Sequence, residues 1–250
     1  MSLHDQQPET RFSKRAQAYA ESRPDYPPEV YEALLEGFDR SVIVVADVGA
    51  GTGIASRGLA ARGVRVIALD PNAEMRNAAR PHPLVELREG SGESTGLAEA
   101  SVDIVAAFQA FHWFDAPRAL VELHRVLKPG GRAGLVWNLR DHTDAFTNAY
   151  TEVIQRFATL PAAEERPGVA DPLMTSGLFR DVQRFTYSHF QRLTTEGLLG
   201  RAKSTSYLPS EGDSWDALRA ELRLLHAARA DDEGLVRLQY RTDLHRAGRA

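Results

Sequence analysis

The sequence predicts an α/β fold in which helices flank a mainly parallel β-sheet. Residues 42–48 are a nearly unbroken run of β-branched residues, which is typical of a strand buried on both faces of a parallel sheet. A glycine-rich turn and a helix follow, and a second apolar strand at residues 64–69 ends on Asp70. Because a helical crossover joins the two strands, they are expected to run parallel.

The turn after the first strand carries three alternating glycines: Gly49, Gly51 and Gly53. Glycines here let the backbone turn tightly and let a ligand approach without Cβ atoms in the way. The helix that follows is predicted to end at Gly63 in a left-handed cap. A strand, loop, helix and strand with an acid at the far end form the plan of a site for a nucleoside-containing cofactor.

Two residues separate the cofactor classes that use such a plan. The dinucleotide fingerprint has glycine at the sixth position of the loop, where this chain has Ile54. Asp47 precedes the first glycine by two residues, and its carboxylate would repel a pyrophosphate but attract the ammonium group of an amino acid. An NAD-dependent oxidoreductase is kept as an alternative, since it shares the strand, the loop and the distal acid.

Residues 47–53 resemble motif I of the class I S-adenosylmethionine-dependent methyltransferases, and R-V-L-K-P-G-G at residues 125–131 is similar to the segment before their fifth strand. The resemblance spans nearly the whole chain and is specific over residues 19–137. It implies S-adenosyl-L-methionine as cofactor and a Rossmann-like, mainly parallel seven-stranded sheet with a C-terminal antiparallel strand pair. It also implies that Asp70 accepts hydrogen bonds from the ribose hydroxyls, although a helix N-cap is a compatible reading of this residue.

Further cofactor contacts are predicted along the chain. Pro71 and Met75 follow the second strand and are expected to pack near the adenine. In the family, the loop after the third strand often carries an acid that holds the adenine amino group, and here the chain departs from that pattern. Three residues of this loop are candidates, the first of them at the acid's position: Ser91, Gly92 and Glu93. Gln109, at the end of the fourth strand, is predicted to bind the amino acid end of the cofactor.

Residues 11–35 are predicted to form two short helices separated by the turn RPDYPP. The segment is similar to the N-terminal lid of many small-molecule methyltransferases, in which a Tyr followed by Arg-Pro-x-Tyr-Pro covers the cofactor. The resemblance makes Tyr19 and Arg23 candidates for cofactor binding and Tyr26 a candidate for substrate binding. Arg23 is able to hold a carboxylate by a two-point fork, and capping of a surface turn is the alternative.

The sequence FHWFD at residues 111–115 follows the fourth strand, where ligands of open α/β sheets collect. It resembles the corresponding segment of methyltransferases similar to trans-aconitate methyltransferase, a branch that acts on small carboxylic acids. Phe111 and Trp113 are predicted to contact the substrate and to wall off the sulfonium. His112 is the candidate catalytic base, because a histidine ordinarily titrates near neutral pH, and a structural role is its alternative.

One methyltransferase domain is expected over residues 1–250, with lid helices at 1–40 and the cofactor-binding core at 41–138. The helix before the fifth strand is predicted to end at the Pro129-Gly130-Gly131 turn, and the fifth strand is predicted at 132–137. Residues 139–210 are expected to hold a helical cap insertion, a strand at 182–190 and a short helix at 194–203. Residues 211–250 are expected to hold an amphipathic helix and a half-buried strand at 236–244.

The composition limits the other function classes. With 43% hydrophobic residues the chain can build a substantial core, and it has neither an apolar run of membrane-spanning length nor the apolar segment of a signal peptide, which predicts a cytoplasmic protein. The chain has no cysteine, which excludes disulfides and Cys-ligated zinc, and no metal-ligand cluster is predicted. The net charge of −4 gives no reason to expect a nucleic-acid partner, and we expect a monomer or a homodimer.

The predicted reaction is transfer of a methyl group from S-adenosylmethionine to an oxygen or nitrogen atom of a small molecule, with a carboxylic acid as one candidate acceptor. A carboxylate acceptor requires no general base, whereas a hydroxyl acceptor requires one. A protein that binds the cofactor without turnover is a further alternative.

Overall fold

The computed structural model describes residue 20 and residues 22–160 and 168–250. Tyr19 and most of the first predicted lid helix lie outside the described residues. Seven strands are described: β1 (Val44–Val48), β2 (Arg65–Leu69), β3 (Val85–Arg88), β4 (Val102–Phe108), β5 (Leu127–Arg140), β6 (Phe179–Leu193) and β7 (Val236–Arg249). The described helices are α1 (Pro28–Leu35), α2 (Ile54–Ala60), α3 (Ala73–Asn77), α4 (Ala116–Val126), α5 (Ala145–Phe157), α6 (Asp171–Thr175), α7 (Thr195–Lys203) and α8 (Gly212–Arg229), and Phe111–Trp113 is one turn of 3₁₀ helix.

The seven strands form one mixed sheet in the order β3-β2-β1-β4-β5-β7-β6. The first five strands run parallel to their neighbours, and β7 lies antiparallel between β5 and β6. The predicted α/β class and the antiparallel C-terminal pair are therefore confirmed. Both C-terminal strands are longer than predicted, because their backbones pair over almost their full length, from Phe179 with Arg249 to Leu193 with Val236.

The turn between α4 and β5 differs from its prediction. The helix ends at Val126 and not at the Pro129-Gly130-Gly131 turn, because Leu127 is already extended with φ −69° and ψ 137° and pairs with Val102 of β4. Lys128 precedes a proline, which disfavours helical geometry for it. The register between β4 and β5 then shifts by a bulge, which absorbs the proline and the two glycines.

Two apolar cores cover the two faces of the sheet, since successive side chains of a strand point to opposite faces. Ala46 and Val105 belong to the core that contains α4, whereas Val45 and Ile104 belong to the core that contains α1 and α2. A third core joins α5, α7 and α8 to β7 through Leu238 and its neighbours. This third core stands beside the carboxyl ends of β4 and β5, where the glycine loop also lies. Within the described ranges, no helix combines the length and the apolar character that crossing a bilayer requires.

Gly58 of α2 packs directly against the ring of Tyr31 from α1, and we expect Gly58→Ala to destabilise the protein. A Cβ at Gly58 would lie 2.9 Å from Cε1 of Tyr31 and closer still to Cζ and the hydroxyl oxygen. The ring cannot retreat easily, because it is buried and its hydroxyl donates to Oδ1 of Asp25 at 2.7 Å. Overpacking costs about 1–3 kcal/mol, which outweighs the up to about 1 kcal/mol that alanine ordinarily adds to a helix.

Chemical denaturation of the wild type and of Gly58→Ala measures this loss. In a Tyr31→Ala background the clash is absent, so Gly58→Ala should there be neutral or stabilising through helix propensity. Equal destabilisation in both backgrounds would show that contact with Tyr31 is not the cause.

Candidate active site

The glycine loop after β1 is fixed to the end of β2. The carbonyl oxygen of Leu69 accepts from the amides of Gly49 at 2.8 Å and Ala50 at 2.9 Å. The amide of Gly51 donates to Oδ2 of Asp70 at 2.7 Å. Each of the three glycines adopts the left-handed region, with φ of 73°, 57° and 71°, and Gly53 immediately precedes α2. Gly63 has the predicted left-handed φ, of 84°, but α2 ends earlier than predicted, at Ala60 with Ala61 as its C-cap, and Gly63 lies in the turn that follows.

The glycines of this loop serve different purposes. At Gly49 the space that a Cβ would occupy is already filled by the protein, since Ala110 Cβ would stand 2.5 Å away and the Phe114 ring 3.3 Å away. Glycine is needed at position 49 because there is no room for a Cβ and because the backbone has a positive φ. A Cβ at Gly51 would meet Cε of Met75 at 3.1 Å, whereas at Gly53 it would meet nothing closer than 3.5 Å.

Asp47 lies at the end of β1 and is completely buried. Its Oδ2 accepts from the hydroxyl of Ser56 at 2.5 Å, and its Oδ1 has no hydrogen-bond partner. Burial raises the pKa of this carboxyl from 3.8 to about 7, and the bond from Ser56 opposes part of that rise. Oγ1 of Thr52, in the glycine loop, is also buried without a partner. Asp47 thus offers a buried acceptor oxygen at the end of β1, next to the glycine loop, where an ammonium donor is expected.

Asp70 lies at the carboxyl end of β2 and connects the glycine loop to α3. Its Oδ2 accepts from Gly51 and its Oδ1 accepts from the amide of Asn72 at 2.9 Å. The N-cap of α3 is Asn72 and not Asp70, because Oδ1 of Asn72 accepts from the amide of Met75 at 3.1 Å. Burial raises the pKa of Asp70. An ionised carboxylate offers about four acceptor sites, so two such bonds leave capacity for ribose hydroxyls.

The adenine-side candidates lie around α3 and the loop after β3. Met75 is buried beside the glycine loop, and Pro71 is half-buried. The hydroxyl of Ser91 accepts from the amide of Ser94 at 3.2 Å and thus closes its own turn. The other two candidates contact the segment just before α4. A Cβ at Gly92 would lie 2.5 Å from the Phe114 ring, and Oε1 of Glu93 accepts from the amide of Asp115 at 2.7 Å.

Gln109 follows β4 in a left-handed conformation with φ 53°, which is uncommon for a residue other than glycine. Its side-chain amide makes two bonds to the backbone of Asn138, from Nε2 to the carbonyl at 3.3 Å and from the Asn138 amide to Oε1 at 3.1 Å. The side chain is therefore a clamp between the ends of β4 and β5. Gln109 and Asn138 both line a cleft that the glycine loop also borders.

The aromatic segment after Gln109 is arranged differently from its prediction. Phe111 is 2% exposed and belongs to the core around α4, so the structure does not place it where a substrate would touch it. The fifth residue after Gln109, Phe114, is the aromatic that meets the glycine loop instead. Trp113 is half-buried and its ring lies 5.1 Å from the His112 ring. One turn of 3₁₀ helix causes the difference, because it points consecutive rings in different directions.

His112 is held by a buried tryptophan. The indole Nε1 of Trp137 donates to Nδ1 of His112 at 3.1 Å. A nitrogen that accepts from an indole carries no proton, so the neutral ring bears its proton on Nε2. In this tautomer Nε2 is a donor, and the basic nitrogen faces Trp137. The geometry favours a hydrogen-bond donor over the predicted general base.

A cleft opens between the lid, the glycine loop and α7. The Tyr26 ring packs on the Phe108 ring with centroids 4.9 Å apart, and Nη2 of Arg23 donates to the carbonyl of Ser204 at 3.1 Å. The lining residues are Arg23, Pro24, Tyr26, Gly49, Ala50, Ile54, Ala55, Phe108, Gln109, Asn138 and Arg201. The structure thus brings Arg23, Tyr26 and Gln109 together with the glycine loop, as predicted from separate segments.

Sequence reasoning missed four residues of the site: Ala110, Phe114, Asn138 and Arg201. Ala110 directly precedes the aromatic segment and Phe114 lies within it. Gly49 was the signal for both, because a glycine can mark a position where another part of the chain packs closely. Asn138 directly follows the predicted fifth strand. Because ligands collect at the carboxyl ends of the strands, it could have been predicted in the same way as Gln109. Arg201 lies within a predicted helix far along the chain, and no local signal marks it. Among the described residues, no group of three or more His, Cys, Asp or Glu side chains is arranged to hold a metal ion.

The site fits S-adenosyl-L-methionine. The orphaned Oδ1 of Asp47 supplies an acceptor for an ammonium group, and the remaining acceptor sites of Asp70 supply a partner for a diol. Met75 offers an apolar surface next to the loop for a base. A buried carboxylate beside the loop is unfavourable for a pyrophosphate, which disfavours a dinucleotide.

Comparison with known proteins places the chain among methyltransferases. A family model for a methyltransferase domain matches residues 46–135, which run from β1 into β5. An uncharacterized methyltransferase of Mycobacterium tuberculosis is 37% identical over 233 residues, covering 90% of this chain and 90% of the relative. A solved structure from Anaeromyxobacter dehalogenans, provisionally assigned as a type II methyltransferase, superimposes with a TM-score of 0.68 at 27% identity, covering 91% of this chain and 97% of that one.

A more distant structure shares the fold. Phosphoethanolamine N-methyltransferase 2 of Haemonchus contortus, solved with S-adenosyl-L-methionine, superimposes with a TM-score of 0.55 at 18% identity, covering 100% of this chain and 60% of that one. None of these similarities singles out the trans-aconitate branch, so that part of the resemblance stays a prediction.

Proposed function

Because this chain belongs to the class I methyltransferases, whose cofactor is S-adenosyl-L-methionine, we propose that it transfers a methyl group to an oxygen or nitrogen atom of a small molecule. The similarity to methyltransferases argues against the alternative of an NAD-dependent oxidoreductase. The observation that carries the proposal is the pairing of two buried acids around one glycine loop, Asp47 at the end of β1 and Asp70 at the end of β2.

We assign the ends of the cofactor to these acids. Oδ1 of Asp47 accepts from the amino acid ammonium, and Asp70 accepts from the ribose hydroxyls. Met75 and Pro71 pack against the base, with the backbone of the loop at Ser91, Gly92 and Glu93 at its edge. The lid residue Tyr19 is proposed to close over the same group.

The cofactor supplies a methyl on a positively charged sulfur, which is already a strong electrophile. The work of the protein is to hold the acceptor in line with that methyl and to exclude water. Tyr26 and Phe108 form an apolar wall of the cleft, and Trp113 is proposed to complete it. The donor tautomer of His112 suits an acceptor that bears a carbonyl or carboxylate oxygen, and methylation of a carboxylate oxygen requires no general base at His112.

Titration calorimetry with S-adenosylhomocysteine and with NADH tests the cofactor, and incubation with methyl-labelled S-adenosylmethionine and a metabolite extract tests turnover. We expect binding of S-adenosylhomocysteine alone and label in a small extractable product. Binding without any labelled product would favour a protein that keeps the site without turnover. Binding of NADH alone would contradict the proposal.

The buried carboxyl of Asp47 makes the protein less stable as the pH rises. A folded-state pKa of about 7 against 3.8 means that the native state binds more protons than the unfolded state between these values, so the free energy of unfolding falls across that window. Relative to Asp47→Asn, the wild type should lose about 2–3 kcal/mol between pH 5 and pH 8, since one pKa unit corresponds to about 1.4 kcal/mol. Urea denaturation of both proteins at the two pH values measures the difference.

The affinity for S-adenosylhomocysteine should change in the opposite direction. Its ammonium group pairs with the ionised carboxylate, so the wild type should bind about ten-fold more tightly at pH 8 than at pH 6, while Asp47→Asn shows little change. A pH-independent affinity in the wild type would remove Asp47 from the ammonium site.

A further inference from the structure

A buried arginine faces the same cleft as the glycine loop. Arg201 belongs to α7 and is 4% exposed, and it lines the cleft together with Gly49 and Asn138. Its Nε donates to the hydroxyl of Tyr240 at 3.0 Å, and its Nη1 donates to Oγ1 of Thr205 at 3.0 Å. These bonds orient the guanidinium and use two of its five N–H donors.

Among the described residues, no carboxylate lies within 4.0 Å of the Arg201 guanidinium. Its positive charge therefore has no negative partner there. Arginine does not lose its proton in proteins, and a buried charge is costly unless an opposite charge pairs with it. Hydroxyl oxygens carry only partial charge and compensate it in part. A buried guanidinium that is held in a fixed orientation and has no negative partner is suited to bind an anion.

A second buried group near Arg201 is also without a partner. The hydroxyl of Tyr150, on α5, is completely buried and has no hydrogen bond. Burial raises the pKa of Tyr150, and the charge of Arg201 lowers it in part. The two side chains come from α5 and α7, which pack together in the third core.

We propose that Arg201 binds a carboxylate group of the methyl acceptor and thereby selects acidic substrates. The inference rests on the proposed function and specifies its substrate class. A guanidinium presents paired N–H donors in a plane, which match the two oxygens of a carboxylate. The cleft also reaches the glycine loop, so the acceptor's carboxylate would be held next to the cofactor.

The methionine part of the cofactor also carries a carboxylate, and the position of Arg201 favours the acceptor as its source. Residues 46–135, which match the family model, contain β1, β2 and both acids of the proposed cofactor site. Arg201 lies outside that range, on a helix of the third core together with α5 and α8. The proposed partners of the ammonium group and the ribose therefore both lie within that range, which leaves Arg201 available to select the acceptor.

The proposal also restricts the atom that is methylated. A carboxylate in a two-point fork accepts N–H bonds on both oxygens, and this lowers the nucleophilicity of each. The carboxylate held by Arg201 is therefore a handle for recognition. The methyl group goes to another atom of the acceptor, which in a diacid is an oxygen of the second carboxylate.

The test compares Arg201→Met with Arg229→Met, which removes the same charge from an exposed position. Thermal shifts are measured with saturating S-adenosylhomocysteine and with malonate, citrate or benzoate, against sodium chloride at matched ionic strength and against malonamide and benzamide. We expect at least one carboxylate, and neither amide, to stabilise the wild type and Arg229→Met. Arg201→Met should bind that carboxylate at least ten-fold more weakly while its affinity for S-adenosylhomocysteine changes less than two-fold.

Three outcomes would overturn the proposal: no carboxylate stabilises the wild type, Arg201→Met responds as the wild type does, or Arg201→Met loses affinity for S-adenosylhomocysteine instead, which would assign the carboxylate to the cofactor. Should Arg201→Met not fold, Arg201→Lys keeps the charge without the planar fork and is expected to show the same selective weakening. Failure of the wild type to bind S-adenosylhomocysteine at all would contradict the proposed function separately.

Discussion

Gly49→Ala is expected to reduce the affinity for S-adenosylhomocysteine by more than 100-fold and to lower the free energy of unfolding by about 2–4 kcal/mol. The new methyl group would stand 2.5 Å from Cβ of Ala110 and 3.3 Å from the Phe114 ring, in a residue whose φ is 73°. The loop must then move away from the end of β4. Movement of the loop also displaces Gly51, whose amide is bonded to Asp70. Calorimetry and urea denaturation measure the two losses.

Two control variants separate the clash from the cost of the left-handed backbone. Gly37 has a φ of 79° and no atom within 4 Å of its virtual Cβ, so Gly37→Ala carries only the backbone cost, of about 1 kcal/mol, and should leave binding unchanged. Gly51→Ala meets only the flexible Cε of Met75 at 3.1 Å and should be intermediate. If Gly49→Ala and Gly37→Ala lose equal stability, contact with Ala110 and Phe114 is not responsible.

Asp70→Ala is expected to reduce the affinity for S-adenosylhomocysteine about 100-fold and to destabilise the protein by about 2–4 kcal/mol. The substitution leaves the amides of Gly51 and Asn72 without acceptors at a buried site, and each unsatisfied donor costs about 1–3 kcal/mol. It also removes the proposed partner of the ribose. The same calorimetric and denaturation measurements apply.

Asp232→Ala, at an exposed position, removes the same charge and should change neither property. Asp70→Asn keeps one acceptor oxygen, so it should recover part of the stability and little of the affinity. A variant Asp70→Ala that binds S-adenosylhomocysteine like the wild type would exclude Asp70 from the cofactor site, whatever its effect on stability.

The sequence by itself determined the strands, the glycine loop and the two acids. Runs of β-branched residues identify buried strands, and a glycine pattern identifies a turn, because both depend on residues that are neighbours in the chain. The bounds were less accurate where long-range pairing sets them. The β6–β7 ladder extends both strands beyond their predicted bounds, and pairing of Leu127 with Val102 ends α4 early.

Only the tertiary structure decided what the individual side chains of the site touch. Gly49 meets Ala110, His112 accepts from Trp137, and Arg201 reaches the cleft from a helix that follows β6. The partners in these contacts are separated by tens of residues or more, so no local periodicity records them. A residue's burial and the direction of its hydrogen bonds depend on which elements the folded chain brings together. These determine that Phe111 is core, that Nδ1 of His112 accepts from Trp137 and that a buried guanidinium lines the same cleft as the glycine loop.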